Sequence, residues 1–270
     1  MPYFQAIFLG VVQGLTEFLP VSSSGHLIFF PKIFGWADQG AAFDAMMHMA
    51  TLVAVVFFFR HKILALLRSL IHIRSTAPED KLNHKFILFL VVSTIPAGLF
   101  GFLASDWIET KLRATWIIGF NMIFWGILLG LAEWYRQKKG TGKSLEHIEV
   151  KHSFLMGVAQ AIALFPGTSR SGITMTTGMF SGLSKKAAAE FSFLMSIPII
   201  ALAGGLHIVE IVHTGAVEVS RSILLVGFLS AMISGIFAIW FLMKIIEKWS
   251  FKPFVIYRVL IGILIFIFLV

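Results

Sequence analysis

The sequence predicts an all-α integral membrane protein made of two related halves. Of its 270 residues, 57% are hydrophobic and only 13% are charged, whereas a soluble domain carries about 25% charged residues. Six apolar segments are long enough to cross a bilayer, and two shorter ones are each interrupted by a proline and several hydroxyl-bearing residues. The second interrupted segment repeats the first, which indicates an internal duplication.

The six long segments are predicted transmembrane helices. A bilayer core of about 30 Å needs roughly 20 apolar helical residues. The segments that approach this length are Phe43–Phe59, Phe86–Ala104, Trp116–Trp134, Ala187–His207, Ser222–Met243 and Pro253–Val270. The chain has no cysteine, which excludes a disulfide framework and a thiolate metal site.

Two shorter apolar segments predict re-entrant hairpins. Phe4–Leu19 and Ser153–Phe165 each end at a proline and a polar turn, and each is followed by a short second arm, Leu27–Phe34 or Ile173–Phe180. Irregular backbone inside a membrane is tolerated only where it lines a cavity or lies within protein. We therefore expect both turns to lie inside the protein.

The two hairpins are copies of one another. A shift of 147 residues aligns Gly10–Gly25 with Gly157–Gly172 and gives seven identities in 16 positions. Each copy holds one hairpin and three spans, and because three is odd, the second copy enters from the opposite face as an inverted repeat. We expect a single membrane domain, 1–270, with repeat 1 at 1–135, a cytoplasmic linker at 136–152 and repeat 2 at 153–270.

Lysine and arginine predict the orientation. Sixteen of them fall in segments 60–85, 135–152, 185–186 and 244–252, and four fall on the other side: Lys32, Lys111, Arg113 and Arg221. The positive-inside rule assigns the larger group to the cytoplasm and both termini to the outside. The net charge of +8 is thus dispersed over loops, which argues against nucleic acid as a partner and makes membrane lipids the expected surroundings.

The polar turns of the two hairpins are the candidate site, since hairpins from opposite faces meet near the bilayer midplane. An ionisable group at this depth costs at least about 2.5–3.5 kcal/mol and usually serves a function. A purely structural polar plug is the alternative, but helix caps need hydroxyls and need neither arginine nor histidine. The turns contain Glu17, Ser22, Ser23, Ser24, His26, Thr168, Ser169, Arg170 and Ser171.

This combination of groups suits phosphate chemistry. The serines precede the second arm of each hairpin as N-caps do, and a helix N-terminus binds anions. Gly25 and Gly172 allow the backbone to approach a ligand closely, and Arg170 can donate two parallel hydrogen bonds to phosphate oxygens. His26 can transfer protons, and Glu17 can orient the arginine or a divalent cation. The nucleophile stays open among Ser22, Ser23, His26 and water.

Both turns resemble the signature motifs of the undecaprenyl pyrophosphate phosphatases, the bacitracin-resistance family. The motifs run from Gln13 to His26 and from Pro166 to Thr174, and the similarity extends to the tail at Phe251–Arg258. The resemblance implies removal of one phosphate from a C55 lipid pyrophosphate at the outer face of the bacterial cytoplasmic membrane, which recycles the carrier for peptidoglycan synthesis. It also implies catalytic roles for Glu17, Ser22, Ser23, His26 and Arg170.

One position departs from the family pattern, whose first motif often begins with glutamate. Here Gln13 stands four residues before Glu17 on the same helix face, which puts a two-carboxylate metal site in doubt. A divalent cation, Mg²⁺ or Ca²⁺, that bridges the pyrophosphate is compatible with its oxygen ligands, and Glu17 is its candidate protein ligand. The expected substrate-binding residues are Gln13, Ser24, Gly25, Thr168, Ser169, Ser171, Gly172 and Thr174.

Four further polar residues in the spans are secondary candidates. Asp44 and Glu190 occupy matching places and are expected to accept hydrogen bonds from a hairpin turn, with substrate contact as the alternative. His48 is expected to be a partner of another group rather than a catalyst. Arg258 has three alternatives: extension to the interface, an ion pair with Glu190, or phosphate contact.

The main alternative function is a lipid-carrier flippase or transporter, because inverted repeats with re-entrant hairpins are a transporter architecture. A carrier needs only the phosphate-binding groups, whereas the turns also hold candidate nucleophiles and proton-transfer groups. A scaffold protein would leave the buried charges unexplained. The sequence does not choose between a monomer and a homo-oligomer.

Overall fold

The computed structural model describes residues 1–73, 75, 77–112, 114–140, 142–214 and 219–270. The described part contains eleven α-helices and no β-strand, which agrees with the predicted all-α class. The helices are α1 (Tyr3–Phe18), α2 (Ser23–Phe34), α3 (Ala41–Phe58), α4 (Arg60–Ile71), α5 (Pro78–Lys111), α6 (Thr115–Lys139), α7 (Val150–Ile162), α8 (Arg170–Phe180), α9 (Lys185–Thr214), α10 (Arg221–Ile245) and α11 (Lys252–Leu269).

Six helices of the described part are long and apolar enough to cross a membrane, and they coincide with the six predicted spans. They are α3, α6, α10 and α11 together with Pro78–Ala104 of α5 and Lys185–Leu206 of α9. The chain is therefore an all-α, multi-pass membrane protein. The main difference from the prediction is that α5 begins eight residues before Phe86, because a polar first turn with Glu79 and Asp80 extends the helix.

The two predicted hairpins are present as α1–α2 and α7–α8. The first helices have 16 and 13 residues, which corresponds to lengths of about 24 and 20 Å. Neither length reaches the roughly 30 Å of a bilayer core. Each hairpin turn therefore lies at the end of a helix that is too short to cross the bilayer.

The same local geometry ends both turns. Ser22 and Ser169 have positive φ angles of 75° and 71°, which non-glycine residues rarely adopt. Each is the N-cap of the following helix and accepts a hydrogen bond from the amide of Gly25 or Gly172, respectively. The duplicated sequence thus folds into duplicated caps.

Helix packing follows the duplication. In the first hairpin, α1 packs against α10, while in the second, α7 packs against α5, and the pairs α3–α9 and α6–α11 join the two halves. Glycine permits the hairpin contacts, since a Cβ on Gly10 would lie 2.5 Å from the carbonyl oxygen of Gly227, and one on Gly157 would lie 2.7 Å from that of Ser93. Small residues at such positions allow close helix contacts in membranes.

The largest buried cluster surrounds the start of α9 and includes Phe18 at the end of α1. Phe18 of α1 packs edge-to-face against Phe193 of α9, with ring centroids 5.4 Å apart. Both side chains are fully buried. This contact fixes the end of α1, where Glu17 lies, against the helix that follows the second hairpin.

The segment 60–85, whose density of basic residues predicts a cytoplasmic loop, contains helix α4. Apolar residues at Ile63, Leu66, Leu67 and Leu70 follow helical spacing, and Leu66 is buried. This spacing is visible in the sequence and is the signal that indicates the helix. Arg113, which the charge count assigns to the outer side, lies outside the described residues.

The linker before α7 is ordered by ion pairs. Glu149 caps α7 and lies within ion-pair distance of Lys143 and Lys151. Hydrogen bonds from these two lysines lower the pKa of the Glu149 carboxyl to about 2. His152 forms the other half of this cap and is fully buried.

Candidate active site at the hairpin turns

The two hairpins bring Glu17 and Arg170 into direct contact, although 153 residues separate them. Oε1 of Glu17 accepts a hydrogen bond of 3.0 Å from an Arg170 guanidinium nitrogen. A second guanidinium nitrogen donates to the carbonyl oxygen of Ser192 in α9, at 3.1 Å. The sequence predicts that Glu17, His26 and Arg170 converge. This contact confirms the prediction for Glu17 and Arg170, whereas the hydrogen bonds of His26 lead to other groups.

The other carboxylate oxygen of Glu17 accepts from residues of the first repeat. Oε2 of Glu17 lies 2.7 Å from the hydroxyl of Ser23 and 3.0 Å from Nε2 of Gln13. His48 is the partner that was expected, since its Nδ1 lies 3.5 Å from Glu17 Oε2 and 3.1 Å from Gln13 Nε2. Glu17 is buried while Ser23 is partly exposed, so this hydroxyl is the reachable end of the pair.

His26 is buried and its ring nitrogens are occupied by other groups. Nδ1 lies 2.6 Å from the carbonyl oxygen of Ser22, and Nε2 lies 2.7 Å from the hydroxyl of Tyr257 in α11. Its hydrogen bonds therefore lead to the turn backbone and α11, not to Glu17 or Ser23. Sequence reasoning did not find Tyr257, although the residue lies within the tail that carries the family resemblance.

Arg258 joins both turns from within the protein. Its side chain is fully buried. Within the described residues, its guanidinium donates to five backbone carbonyl oxygens, those of Pro20, Asn121, Met122, Gly167 and Thr168, at 2.9–3.3 Å. It does not extend to the interface, and Glu190 pairs instead with Lys62 at 2.8 Å. Glycine is needed at position 172, because a Cβ there would lie 2.8 Å from an Arg258 guanidinium nitrogen.

The remaining hydroxyls cross-link the hairpins. The hydroxyl of Ser24 accepts from the amide of Gly167 at 3.5 Å, and that of Ser171 donates to the carbonyl of Leu19 at 3.0 Å. Thr174 donates to the carbonyl of Arg170 at 2.7 Å. These contacts hold the N-termini of α2 and α8 together, so that the free N–H groups and dipoles of two helices lie at one place.

Three buried polar atoms of predicted site residues have no hydrogen-bond partner within the described part of the chain. They are Oε1 of Gln13, Oγ1 of Thr168 and Nε of Arg170. Buried polar atoms in proteins are normally hydrogen-bonded. Four further unpartnered atoms lie elsewhere in the described chain, on Gln39, His152, Ser153 and Gln160, so the three at the turns are groups that can bond to a polar ligand but do not by themselves mark its site.

The two acidic secondary candidates, Asp44 and Glu190, have partners outside the hairpin turns. Asp44 accepts a hydrogen bond of 2.8 Å from Gln39, whose side chain also donates to the carbonyl of Leu27. Glu190 pairs with Lys62 of α4. The expectation that Glu190 accepts a hydrogen bond from a hairpin turn is therefore replaced by an ion pair with α4.

The family model described as "Bacitracin resistance protein BacA" matches residues 6–264. The chain belongs to this family. A relative named "Undecaprenyl-diphosphatase" from Marinobacter nauticus is 43% identical over 264 residues, 97% of each chain. "Undecaprenyl-diphosphatase 1" from Pseudoalteromonas translucida is 41% identical over 273 residues, 100% of this chain and 99% of the relative. "Undecaprenyl-diphosphatase 2" from Stutzerimonas stutzeri is 43% identical over 263 residues, 97% and 96% of the two chains.

Gln13 donates a hydrogen bond to Glu17 and does not provide a second carboxylate beside it. Both oxygens of Glu17 already accept hydrogen bonds from Arg170, Ser23 and Gln13. No group of three or more histidine, aspartate or glutamate side chains arranged for a metal ion occurs in the described part of the chain. A cation bound at Glu17 would have Gln13 rather than a second carboxylate beside it.

We expect Arg258→Lys to destabilise the protein, because an ammonium group cannot reproduce hydrogen bonds from a planar guanidinium to carbonyls on three segments. Loss of two or three of these bonds costs about 2–4 kcal/mol. The midpoint of thermal unfolding in detergent is expected to fall by about 5–10 °C. Arg68→Lys, on the exposed face of α4, is the matched control. Equal midpoints for both variants would contradict the bracing role of Arg258.

Proposed function

We propose that this protein is an integral membrane phosphatase that hydrolyses undecaprenyl pyrophosphate to undecaprenyl phosphate and inorganic phosphate. The observation that carries this proposal is the contact between Ser23, Glu17 and Arg170. It combines a hydroxyl, a carboxylate that can accept its proton, and a cation that can bind phosphate. Membership in the BacA family and relatives named undecaprenyl-diphosphatase support the same reaction and substrate.

The pyrophosphate binds where the N-termini of α2 and α8 meet. Two helix N-termini offer free N–H groups and positive dipole ends to an anion. Arg170 adds a charge and an unpartnered Nε, and a guanidinium can hold two phosphate oxygens at once. Phosphate displaces Glu17 as the partner of Arg170, so substrate binding frees the carboxylate to act on Ser23.

Ser23 is the proposed nucleophile among the four alternatives. Ser22 is buried, and His26 has both nitrogens occupied, whereas the Ser23 hydroxyl is partly exposed and donates to Glu17. Oγ of Ser23 attacks the terminal phosphorus while Glu17 takes its proton. The bond between that phosphorus and the bridging oxygen breaks, and undecaprenyl phosphate leaves with the electron pair.

Water completes the reaction. Glu17 transfers the proton it received to the departing phosphate, and it then accepts a proton from the water that attacks the phosphoserine. The bond from phosphorus to Ser23 Oγ breaks, and the serine oxygen takes from Glu17 the proton that came from the water. Inorganic phosphate leaves, and the charge on its oxygens is balanced by Arg170 throughout.

Pyrophosphate oxygens bind Mg²⁺ or Ca²⁺ readily. Glu17 and Oε1 of Gln13 are the protein oxygens that would hold such a cation. It would supply neutralisation of negative charge on the phosphates. The single carboxylate beside Gln13 supports a cation carried by the pyrophosphate rather than one held by the protein alone.

We further propose an inverted repeat, 1–135 and 153–270, with the active site open to the outer face of the cytoplasmic membrane. The exchange of partners between α1–α10 and α7–α5 supports the repeat. At the proposed cytoplasmic ends, Lys138 lies 4.1 Å from the Trp134 ring and Lys244 lies 4.7 Å from the Trp240 ring. Aromatic and basic residues concentrate at such interfaces.

A flippase that uses the same phosphate-binding groups is the alternative. A carrier must bind the headgroup on both sides, but it has no use for a hydroxyl hydrogen-bonded to a carboxylate. The 2.7 Å contact between Ser23 and Glu17 favours hydrolysis. Catalysis in detergent separates the two functions, because transport requires a sealed membrane.

We expect the detergent-solubilised wild type to release phosphate from a C55 or C15 pyrophosphate. Arg170→Lys should keep the fold yet lose at least about 100-fold in rate, because a point charge cannot hold two phosphate oxygens in a planar arrangement. Phosphate release by malachite green and thermal unfolding measure the two properties. Arg68→Lys, on the exposed face of α4, is the control. Equal rates for Arg170→Lys and wild type would refute the phosphate-binding role.

Substitution should also separate Glu17 from its neighbour. Glu17→Ala removes the proposed base and should lower the rate by about 10²–10⁴-fold. Gln13→Ala removes one neutral hydrogen bond and should lower it by about tenfold or less. Both rates are measured at saturating substrate with matched protein yields. A greater loss with Gln13→Ala than with Glu17→Ala would contradict the proposed base.

Cysteine labelling tests the orientation, because the natural chain contains none. We expect a membrane-impermeant maleimide to label Asp38→Cys in intact cells and to label Lys139→Cys only after cell lysis. Both positions are exposed on opposite sides of the predicted topology. The reverse labelling pattern would show that the active site opens to the cytoplasm.

A further inference from the structure

Tyr257 of α11 contacts the first hairpin turn through His26, beside the direct contact that Arg258 makes with the carbonyl of Pro20. Its hydroxyl lies 2.7 Å from Nε2 of His26, and the two rings are parallel with centroids 5.5 Å apart. His26 is buried, whereas Tyr257 is partly exposed at the surface of α11. No step of the proposed reaction uses this hydroxyl.

The hydrogen-bond chemistry fixes the direction of both bonds of the imidazole. The carbonyl oxygen of Ser22 can only accept, so Nδ1 of His26 carries the hydrogen that points to it. In the neutral ring Nε2 then carries a lone pair, and the Tyr257 hydroxyl donates to it. Tyr257 therefore selects the tautomer in which His26 can donate to Ser22.

The bond to Ser22 matters because the turn is strained. Ser22 has a φ of 75°, and its carbonyl also accepts the backbone N–H of His26 at 3.3 Å. Non-glycine residues keep such angles only when neighbouring groups fix them. The His26 side chain supplies one fixing bond from within α2, and Tyr257 orients that side chain from α11.

The second turn reaches the same geometry by another route. Ser169 has a φ of 71°, but Ile173 stands where the first repeat has His26. There Arg258 donates directly to the carbonyls of Gly167 and Thr168. Arg258 thus contacts the second turn at two carbonyls and the first turn at Pro20, whereas Tyr257 acts on the first turn alone, through His26.

We propose that Tyr257 is a positioning residue of the phosphate site, which acts through His26 to hold the Ser22 turn and thereby aim Ser23 and the N-terminus of α2. This proposal rests on the proposed phosphatase function for its effect on rate. The ordering of the turn itself does not depend on that function. The two consequences are therefore measured separately.

The first measurement is hydrogen exchange of the backbone, read by mass spectrometry on the full chain in detergent. Tyr257→Phe keeps the ring and removes the hydroxyl. We expect peptides that cover 19–27 to exchange several-fold faster than in wild type, while peptides that cover 166–173 are unchanged because Arg258 still holds the second turn. The matched control is Tyr3→Phe, which removes a hydroxyl bonded to Ser222 between α1 and α10.

The second measurement is steady-state kinetics with a polyprenyl pyrophosphate. We expect Tyr257→Phe to lower kcat about five- to tenfold and to leave KM within about twofold, because Arg170 still binds phosphate. Tyr3→Phe should match wild type in both constants. A role in general stability would instead lower the unfolding midpoint and affect both turns.

Several outcomes would overturn the proposal. They are an unchanged exchange rate at 19–27, an equal increase at both turns, and a kcat for Tyr257→Phe equal to that of wild type. A wild-type protein that releases no phosphate would refute the proposed hydrolase instead. In that case hydrogen exchange at the first turn alone decides whether Tyr257 positions it.

Discussion

The guanidinium of Arg258 donates hydrogen bonds to carbonyls in both hairpin turns and in α6, and the geometry of the site depends on it. A buried charge is costly unless its donors are satisfied, and five carbonyl oxygens satisfy them here. Carbonyl dipoles do not cancel a net charge. No carboxylate of the described chain lies within ion-pair distance of Arg258, so its positive potential persists beside the N-termini of α2 and α8.

Duplication followed by divergence explains how the site divides its tasks. Under the shift of 147 residues, Ser23 corresponds to Arg170, Glu17 to Leu164 and His26 to Ile173. The backbone caps at Ser22 and Ser169 stayed alike, as their φ angles show. The first copy therefore supplies the carboxylate and hydroxyl and the second supplies the arginine, on two turns that keep one shape. Because the two turns have similar backbones, Glu17 on one turn and Arg170 on the other can meet although they are unlike residues.

The spans and the hairpins could be predicted because their signals are local: apolar length for the six spans, and a proline with serine caps for the turns. The contact of Glu17 with Arg170 could be predicted because the repeat brings the two turns together. The partners of Arg258 and the bond between His26 and Tyr257 could not, since they depend on which way side chains on α11 and α2 point. Sequence alone specifies that Tyr257 and His26 lie on helices, but their mutual rotation is set by packing against α6.

The charge balance of the turns explains how a neutral residue at position 13 is compatible with pyrophosphate binding. Glu17 and Arg170 neutralise each other at 3.0 Å, which leaves the charge of Arg258 and two helix dipoles to attract an anion. A second carboxylate at position 13 would oppose pyrophosphate unless a cation offset it. The amide of Gln13 instead donates to Glu17 and adds no charge. On the proposed mechanism, phosphate can therefore replace Glu17 on Arg170 without first recruiting a cation to a pair of carboxylates, and the freed carboxylate becomes a base at the moment when the substrate is bound.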